Sequence, residues 1–464
     1  MQSSKSSWGL VLIASSGLIV ACSSSTKRSG VEPGDGAVAT GSGATSSSGG
    51  AGIGATSSTN GGATANGGGV NGGTPNGGTT GAGGATSSGG ATSNGGATAN
   101  GGAGTGGGGT ITPPGGGDYT ASGPPDFGPN VFIFDPSMGD ATIQSKLDGI
   151  FADQQTNQFG SSRYAYFFKP GKYNLDVQIG FYMEALGLGA SPDDVSITGA
   201  VRAMAKWNQG NATLNFWRLA ENLSVTPTSA INKNDVWATS QATALRRIHV
   251  TSGGVNLFDP EGGPNEWASG GFIADSKIDG TVVSGSQQQY LTRNVTMQQW
   301  SGGVWNMVFV GNQGNPTGTW PGSPYTFVGA TPALREKPYL TIDGSGDYSV
   351  VAPTVTQNTT GISWGATAAP STTIPISKFY IAHADKDSAD TINTALAAGA
   401  NLILTPGVYH LASALAVNRA GTLILGLGLA TLTPDQGTPA MTVADVDSVT
   451  VAGVLFDAGA TNSP

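Results

Sequence analysis

A chain of 464 residues has room for two or three domains, but its first quarter is so rich in Gly, Ser, Thr and Ala that it cannot bury a core, which leaves residues 118 to 464 to fold. A formal net charge of −9 with only 11% charged residues makes a sparse acidic surface, which argues against nucleic acid as a partner. The single cysteine, Cys22, excludes an internal disulfide and a thiolate metal cluster.

In chain order, Lys5 precedes a largely apolar run from Trp8 to Val20, too short to span a bilayer and followed by small residues, as in a signal peptide. Ile19-Val20-Ala21-Cys22 resembles the lipobox of bacterial lipoproteins, and Lys27 and Arg28 fit a sorted lipoprotein. The resemblance implies that residues 1–21 are removed and Cys22 is acylated. It also implies export to the cell envelope as an outer-membrane or cell-surface lipoprotein, with the membrane as partner through that lipid. An ordinary signal peptide with a chance cysteine is the alternative. Residues 22–117 repeat Gly-Gly-Ala-Thr phrases, as at Gly89-Gly90-Ala91-Thr92, and predict a disordered tether holding the folded part roughly 50 Å from its anchor.

Beyond Pro125, short apolar runs alternate with Gly, Asn, Asp and Ser. They are Val131 to Phe134, Ala165 to Phe168, Met183 to Leu188, Asn215 to Val225, Leu245 to Val250, Gly271 to Ile278, Gln289 to Val295 and Asn306 to Val310. Spacings of roughly 20 to 30 residues match one turn of a β-solenoid. Thr142 to Asp153, with Ile143, Leu147, Ile150 and Phe151 on one face, predicts a helix that caps its open end.

The pattern then restarts. Ile143 and Leu147, Lys169-Pro170-Gly171-Lys172-Tyr173-Asn174-Leu175, and Leu186-Gly187-Leu188-Gly189 recur as Ile392 and Leu396, Thr405-Pro406-Gly407-Val408-Tyr409-His410-Leu411, and Leu425-Gly426-Leu427-Gly428. The expectation is an all-β protein: a right-handed parallel β-helix over 118–310, a linker subdomain over 311–380 with strands near Tyr339 to Ile342 and Tyr348 to Ala352, and the start of a second β-helix over 381–464. That second module stops in mid-pattern at Val454-Leu455-Phe456-Asp457 without a cap, which predicts a longer natural product or a truncated chain.

Gly270-Gly271-Phe272-Ile273-Ala274-Asp275, followed by Ser286-Gln287-Gln288-Gln289-Tyr290-Leu291-Thr292-Arg293-Asn294, resembles the twin β-helix exo-β-1,3-glucanases of glycoside hydrolase family 55, in the pectate-lyase-like superfamily. The chain also resembles secreted bacterial proteins that carry coagulation factor 5/8 type (discoidin) modules. The first resemblance implies a cofactor-free inverting glycosidase working in a cleft between two helices on a β-glucan-like polysaccharide. It implies that Gln288 and Gln289 position water or sugar; the bland alternative is a polar ladder along the coils.

Inversion needs a protonated carboxylic acid facing a held water across a cleft. The family draws its acid, a glutamate, from the second module, whereas the last glutamate here is Glu336. One of Asp435, Asp445, Asp447 and Asp457 substitutes, or further coils hold the acid, or the chain does not hydrolyse. Asp275 and Asp279, four apart, would share a strand face and a proton if catalytic; capping strand ends is the alternative. Arg246, Arg247 and His249 raise a lyase reading, without the clustered aspartates that calcium would need. Trp300 and Trp305, with Arg293 closing the glutamine segment, are candidate substrate contacts. Gly361-Ile362-Ser363-Trp364-Gly365 matches a hydrolase nucleophile pattern but lacks the flanking strand and helix, and reads as chance. The leading expectation is therefore a surface-anchored β-1,3-glucanase-type glycoside hydrolase; its rival is a non-catalytic glycan-binding or adhesive lipoprotein, and a polysaccharide lyase comes third.

Overall fold

The computed structural model describes residues 118–119, 123–228 and 233–460, so the signal segment, Cys22 and the tether lie outside the described residues. From Val131 the chain winds into a right-handed parallel β-helix. Val131–Phe134, Tyr164–Phe168, Met183–Gly187, Arg218–Pro227, Thr243–Val250, Phe272–Ala274, Gln289–Arg293, Asn306–Val310 and Tyr325–Val328 stack in that order as one parallel wall. Gly171–Gln178 and Val195–Arg202, then Lys277–Val283 and Thr296–Ser301, pair in parallel on the other walls. Alternation sends Tyr166, Phe168, Met183, Ala220, Leu245 and Phe309 into the solenoid interior and the residues between them outward.

The capping helix spans Asp140–Gln154, buries Ile143, Leu147 and Ile150, and leaves Phe151 half-buried. It closes the first coil, and the buried amide of Gln154 donates to Phe181 O at 2.7 Å. At the far end of the main wall each coil turns a sharp corner through one left-handed residue: Asn222, Arg247, Asp275 and Asn294, with φ of 56°, 49°, 47° and 55°. Asn and Asp tolerate this region because their short side chains hydrogen-bond locally.

The two restarts share their chemistry as well as their spelling. Tyr173 donates its hydroxyl to Lys169 O at 2.7 Å, and Tyr409 donates to Thr405 O at 3.1 Å, each locking the turn after a capping helix, Asp140–Gln154 or Ala389–Ala397. The glycines of Leu-Gly-Leu-Gly are steric necessities. A Cβ on Gly187 would lie 1.9 Å from Asn222 O, and one on Gly426 would lie 2.3 Å from Gly453 O, because the next coil passes directly beneath.

The sequence boundaries shift at the linker. Tyr325–Val328 is a further rung of the first solenoid, paired with Asn306–Val310, so the stack runs past residue 310. Thr331–Leu334 then pairs antiparallel with Thr356–Thr359, and Tyr339–Ile342, Tyr348–Pro353 and Ser371–Pro375 form an antiparallel three-stranded sheet. Leu340, Val350 and Ile374 of that sheet share one core with Phe167 and Leu186 of the first solenoid and Ile403, Leu425 and Leu427 of the second. It is a wedge between the modules rather than a spacer. The second module begins at Phe379 and stacks Phe379–Ala382, Asn401–Leu404, Leu423–Pro434 and Thr450–Phe456 in parallel.

Candidate functional site

The outward face of the first solenoid's main wall carries two rows of side chains. One runs Ala165, Glu184, Leu219, then Phe272, Leu291, Val308 and Thr326; the other runs Phe167, Leu186, Glu221, Arg246, Ala274, Arg293 and Val310. The second module covers the early part. Leu429 and Leu455 pack with Tyr182, Trp217, Leu219 and Ala244, while Arg163, 3.5 Å above the Tyr182 ring, donates to Thr431 at 3.0 Å. Further along, Leu291 and Val308 are half-buried and Gln289 and Asn306 are exposed, so the described residues leave this stretch open beside the seam.

Two adjacent wedge residues plug the charges in these rows. Glu336 receives hydrogen bonds from Arg293 at 2.7 and 2.9 Å and from Arg246 at 2.8 Å, all three residues being buried. Burial alone would raise its carboxyl, but the two guanidinium groups hold it down at about 2. Lys337 lies 2.6 Å from Glu221 and 3.5 Å from Glu184. Burial lifts Glu184 to about 7, with the neighbouring Glu221 adding to the rise and Lys337 opposing it. The other oxygen of Glu184 accepts the Gly428 N–H of the second module at 2.6 Å. One carboxyl thus joins first module, wedge and second module.

Known proteins bear on this arrangement. Residues 379–464 match the family described as the LAM55 pectate lyase-like domain. Over 339 residues the chain is 50% identical to an exo-beta-1,3-glucanase of Streptomyces sp. (strain SirexAA-E / ActE), a match that takes in 73% of this chain and 54% of that protein. It superposes on the solved structure of sacteLam55A from Streptomyces sp. SirexAA-E with a TM-score of 0.69 at 48% identity, over 75% of this chain and 60% of that one. A variant of the same protein in complex with glucose matches with the same TM-score of 0.69. The described residues have a pectate-lyase-like twin β-helix fold like that of sacteLam55A. It spans about half the length of the curated relative, at 54%.

Within this twin β-helix the residues singled out by sequence separate into two groups. Gln288 and Gln289 are exposed at the start of the Gln289–Arg293 rung; the Gln289 amide donates weakly to Ser269 O at 3.3 Å, and Gln288 O accepts the Trp305 N–H at 2.9 Å. Trp305 is 59% exposed beside them. The buried ladder amide belongs instead to Gln287, which donates to Thr239 O at 3.0 Å and Leu257 O at 2.7 Å.

The other three candidates need correction. Trp300 is 2% exposed and packs edge-on against Phe309 in the solenoid core, where no sugar reaches it. Arg293 is committed to Glu336. Asp275, fully buried, is a corner residue: it accepts from Arg247 at 3.3 Å and from the Ser363 hydroxyl at 2.7 Å, while Trp364 donates to its carbonyl at 2.7 Å. Burial and the charge of Glu336 raise it to about 6, against the pull of Arg247. Asp279 lies on a different wall, paired with Lys277 at 3.1 Å, so the two aspartates share no proton.

The lyase trio is dispersed as well. Arg246 faces Glu336, Arg247 turns the corner to Asp275, and His249 sits between Asp193 at 2.6 Å and Asp279 at 3.4 Å. The Gly361-Ile362-Ser363-Trp364-Gly365 phrase is a clamp on Asp275, to which the Ser363 hydroxyl and the Trp364 indole both donate. Sequence reasoning passed over Glu184, Glu221 and Lys337. Part of their signal was visible: Glu184 is the single charge in the otherwise apolar strand Met183–Gly187, and a Glu-Lys pair follows downstream, whereas Glu221 sits in a mixed strand, Arg218–Pro227, that gives no such sign.

Proposed function

We propose that this chain is a β-1,3-glucan-acting glycoside hydrolase of the exo type, working by inversion on the open stretch of wall at Gln289–Arg293 and Asn306–Val310, beside the seam. The observation that carries the reading is the 50% identity over 339 residues to an exo-beta-1,3-glucanase. On this reading the amides of Gln288 and Gln289 hold the attacking water or a ring hydroxyl, since an amide both donates and accepts and competes for no proton. Replacing both with Ala in the full chain is expected to cut reducing-sugar release from laminarin by at least 100-fold, with the thermal melting curve unchanged because both side chains are exposed. Release unchanged by the substitution would overturn their role.

A second reading, glycan binding without cleavage, is favoured by the state of the seam carboxyls. Glu336 is held ionised at about 2, where it cannot donate a proton; Glu184, at about 7, has the right acidity but is fully buried. Retention of the full chain on insoluble glucan with no sugar released would select that reading.

We also place the protein at the bacterial cell envelope through a lipid on Cys22, as the lipobox-like Ile19-Val20-Ala21-Cys22 suggests. Expression in a bacterial host with a labelled fatty acid should label the wild-type chain and leave Cys22→Ser unlabelled; equal label in both would sink the anchor.

A further inference from the structure

Trp217, Trp237, Trp300 and Trp364 are buried, Trp207 is half-buried, and three indoles stand largely in water: Trp267 at 58%, Trp305 at 59% and Trp320 at 62% exposure. These three share one edge of the solenoid. Trp267 lies in the turn that feeds Phe272–Ala274, Trp305 in the turn that feeds Asn306–Val310, and Trp320 in the loop that feeds Tyr325–Val328. Hydrogen bonds tie neighbouring turns together: the Ser286 hydroxyl accepts from Ala268 N–H at 3.0 Å, Trp305 N–H donates to Gln288 O at 2.9 Å, and Met307 N–H donates to Pro324 O at 2.6 Å, while Trp320 N–H closes its own loop on Tyr325 O at 2.9 Å.

Successive rungs of a parallel wall are ~4.8 Å apart, so Trp267, Trp305 and Trp320 belong to rungs spread over roughly 15 Å along the axis. Leaving so much indole in water forgoes the largest burial gain any side chain offers, and an apolar patch rimmed by polar groups marks a binding surface. Here the rim is Gln288, Gln289 and Asn306, all exposed on the same edge. Flat apolar rings flanked by amides suit a ligand with an apolar C–H face and a rim of hydroxyls, repeated along its length. That is a pyranose polymer.

We propose that Trp267, Trp305 and Trp320 form a platform on which successive rings of one β-glucan chain stack, so that the protein grips polymer well beyond the unit at Gln288 and Gln289. The proposal rests on the carbohydrate reading above and adds to it a preference for long chains over short oligosaccharides.

The test uses the full chain with Trp267→Ala and Trp320→Ala, two exposed positions outside the core, singly and together. Affinity for laminarin, from retardation in a laminarin-containing gel, is compared with affinity for laminaribiose from calorimetry. The double variant is expected to bind laminarin about tenfold more weakly and laminaribiose unchanged. Unchanged laminarin affinity, or an equal loss for both ligands, overturns the platform. The hydrolase reading fails separately: tryptophan-dependent retention of laminarin without sugar release keeps the platform and removes the enzyme, whereas release with tryptophan-independent retention does the reverse. A wild-type chain that neither retains nor cleaves laminarin overturns both.

Discussion

Replacing Glu336 with glutamine is expected to lower the free energy of unfolding by about 3–5 kcal/mol at pH 7, because it strands two buried guanidinium groups without an anion. The amide keeps the shape and part of the hydrogen bonding, so the loss measures charge rather than a cavity. The pH dependence identifies the source. The Glu336 carboxyl, held at about 2 against an ordinary 4.5, contributes stability that is complete above 4.5 and drains away as pH falls toward 2. Urea denaturation of wild type and variant should therefore converge as pH drops through that window. A difference below about 1 kcal/mol at pH 7 would show that the arginines find other partners. Exchanging Glu336, Arg246 and Arg293 together for apolar residues of similar volume should cost far less than the single change, as breaking a buried ion cluster is worse than replacing it.

The neighbouring substitution, Lys337→Met, should have the opposite pH signature. It removes the cation between Glu184 and Glu221 and leaves two buried carboxyls facing each other. In the wild type, Glu184 is raised from 4.5 to about 7, so the stability its proton confers is complete below 4.5 and is lost as pH climbs through 7. Without the attraction of Lys337 the carboxyl rises further. The variant should be less stable than wild type by about 3–5 kcal/mol at pH 8, with a much smaller gap at pH 5. Chemical denaturation at the two pH values checks this; equal losses would mean that Glu184 does not carry the proton. Because Glu184 also accepts the Gly428 N–H, amide exchange within Leu423–Pro434 should quicken in the variant at pH 8.

Most of the fold was legible in the sequence because a solenoid repeats one local event. The eight apolar runs coincide with strands to within a few residues, since each rung must alternate inward and outward before a corner that takes Asn or Asp at three of the four positions named above and Arg247 at the other. Both capping helices and both Tyr locks were marked by their duplicated phrases.

The site was legible only in part. Gln288, Gln289 and Trp305 are exposed at one edge of the coils, but spacing does not tell exposed from buried when every coil has both. Trp300, five positions before Trp305, points into the core although Gln298 and Gln299 before it are both exposed, a break in the alternation of Thr296–Ser301 that spacing does not reveal. Asp275 looks catalytic and Arg293 substrate-binding by type, yet their partners, Ser363 and Glu336, lie 88 and 43 residues further on, in a stretch that reads as linker. Non-local charge pairing of this kind leaves no periodic trace.

A simple solenoid is modular along its axis: rungs can be added or removed because each touches only its neighbours. The core shared by Phe167, Leu340 and Leu425 ends that freedom, since it binds residues far apart along the chain side by side across two axes. A rung lost from one helix would slide every later rung out of step with the other, so the two stacks can change length only together. Loops at the coil edges, such as the one bearing Trp320, are free of that constraint, and there the molecule can vary without disturbing its frame.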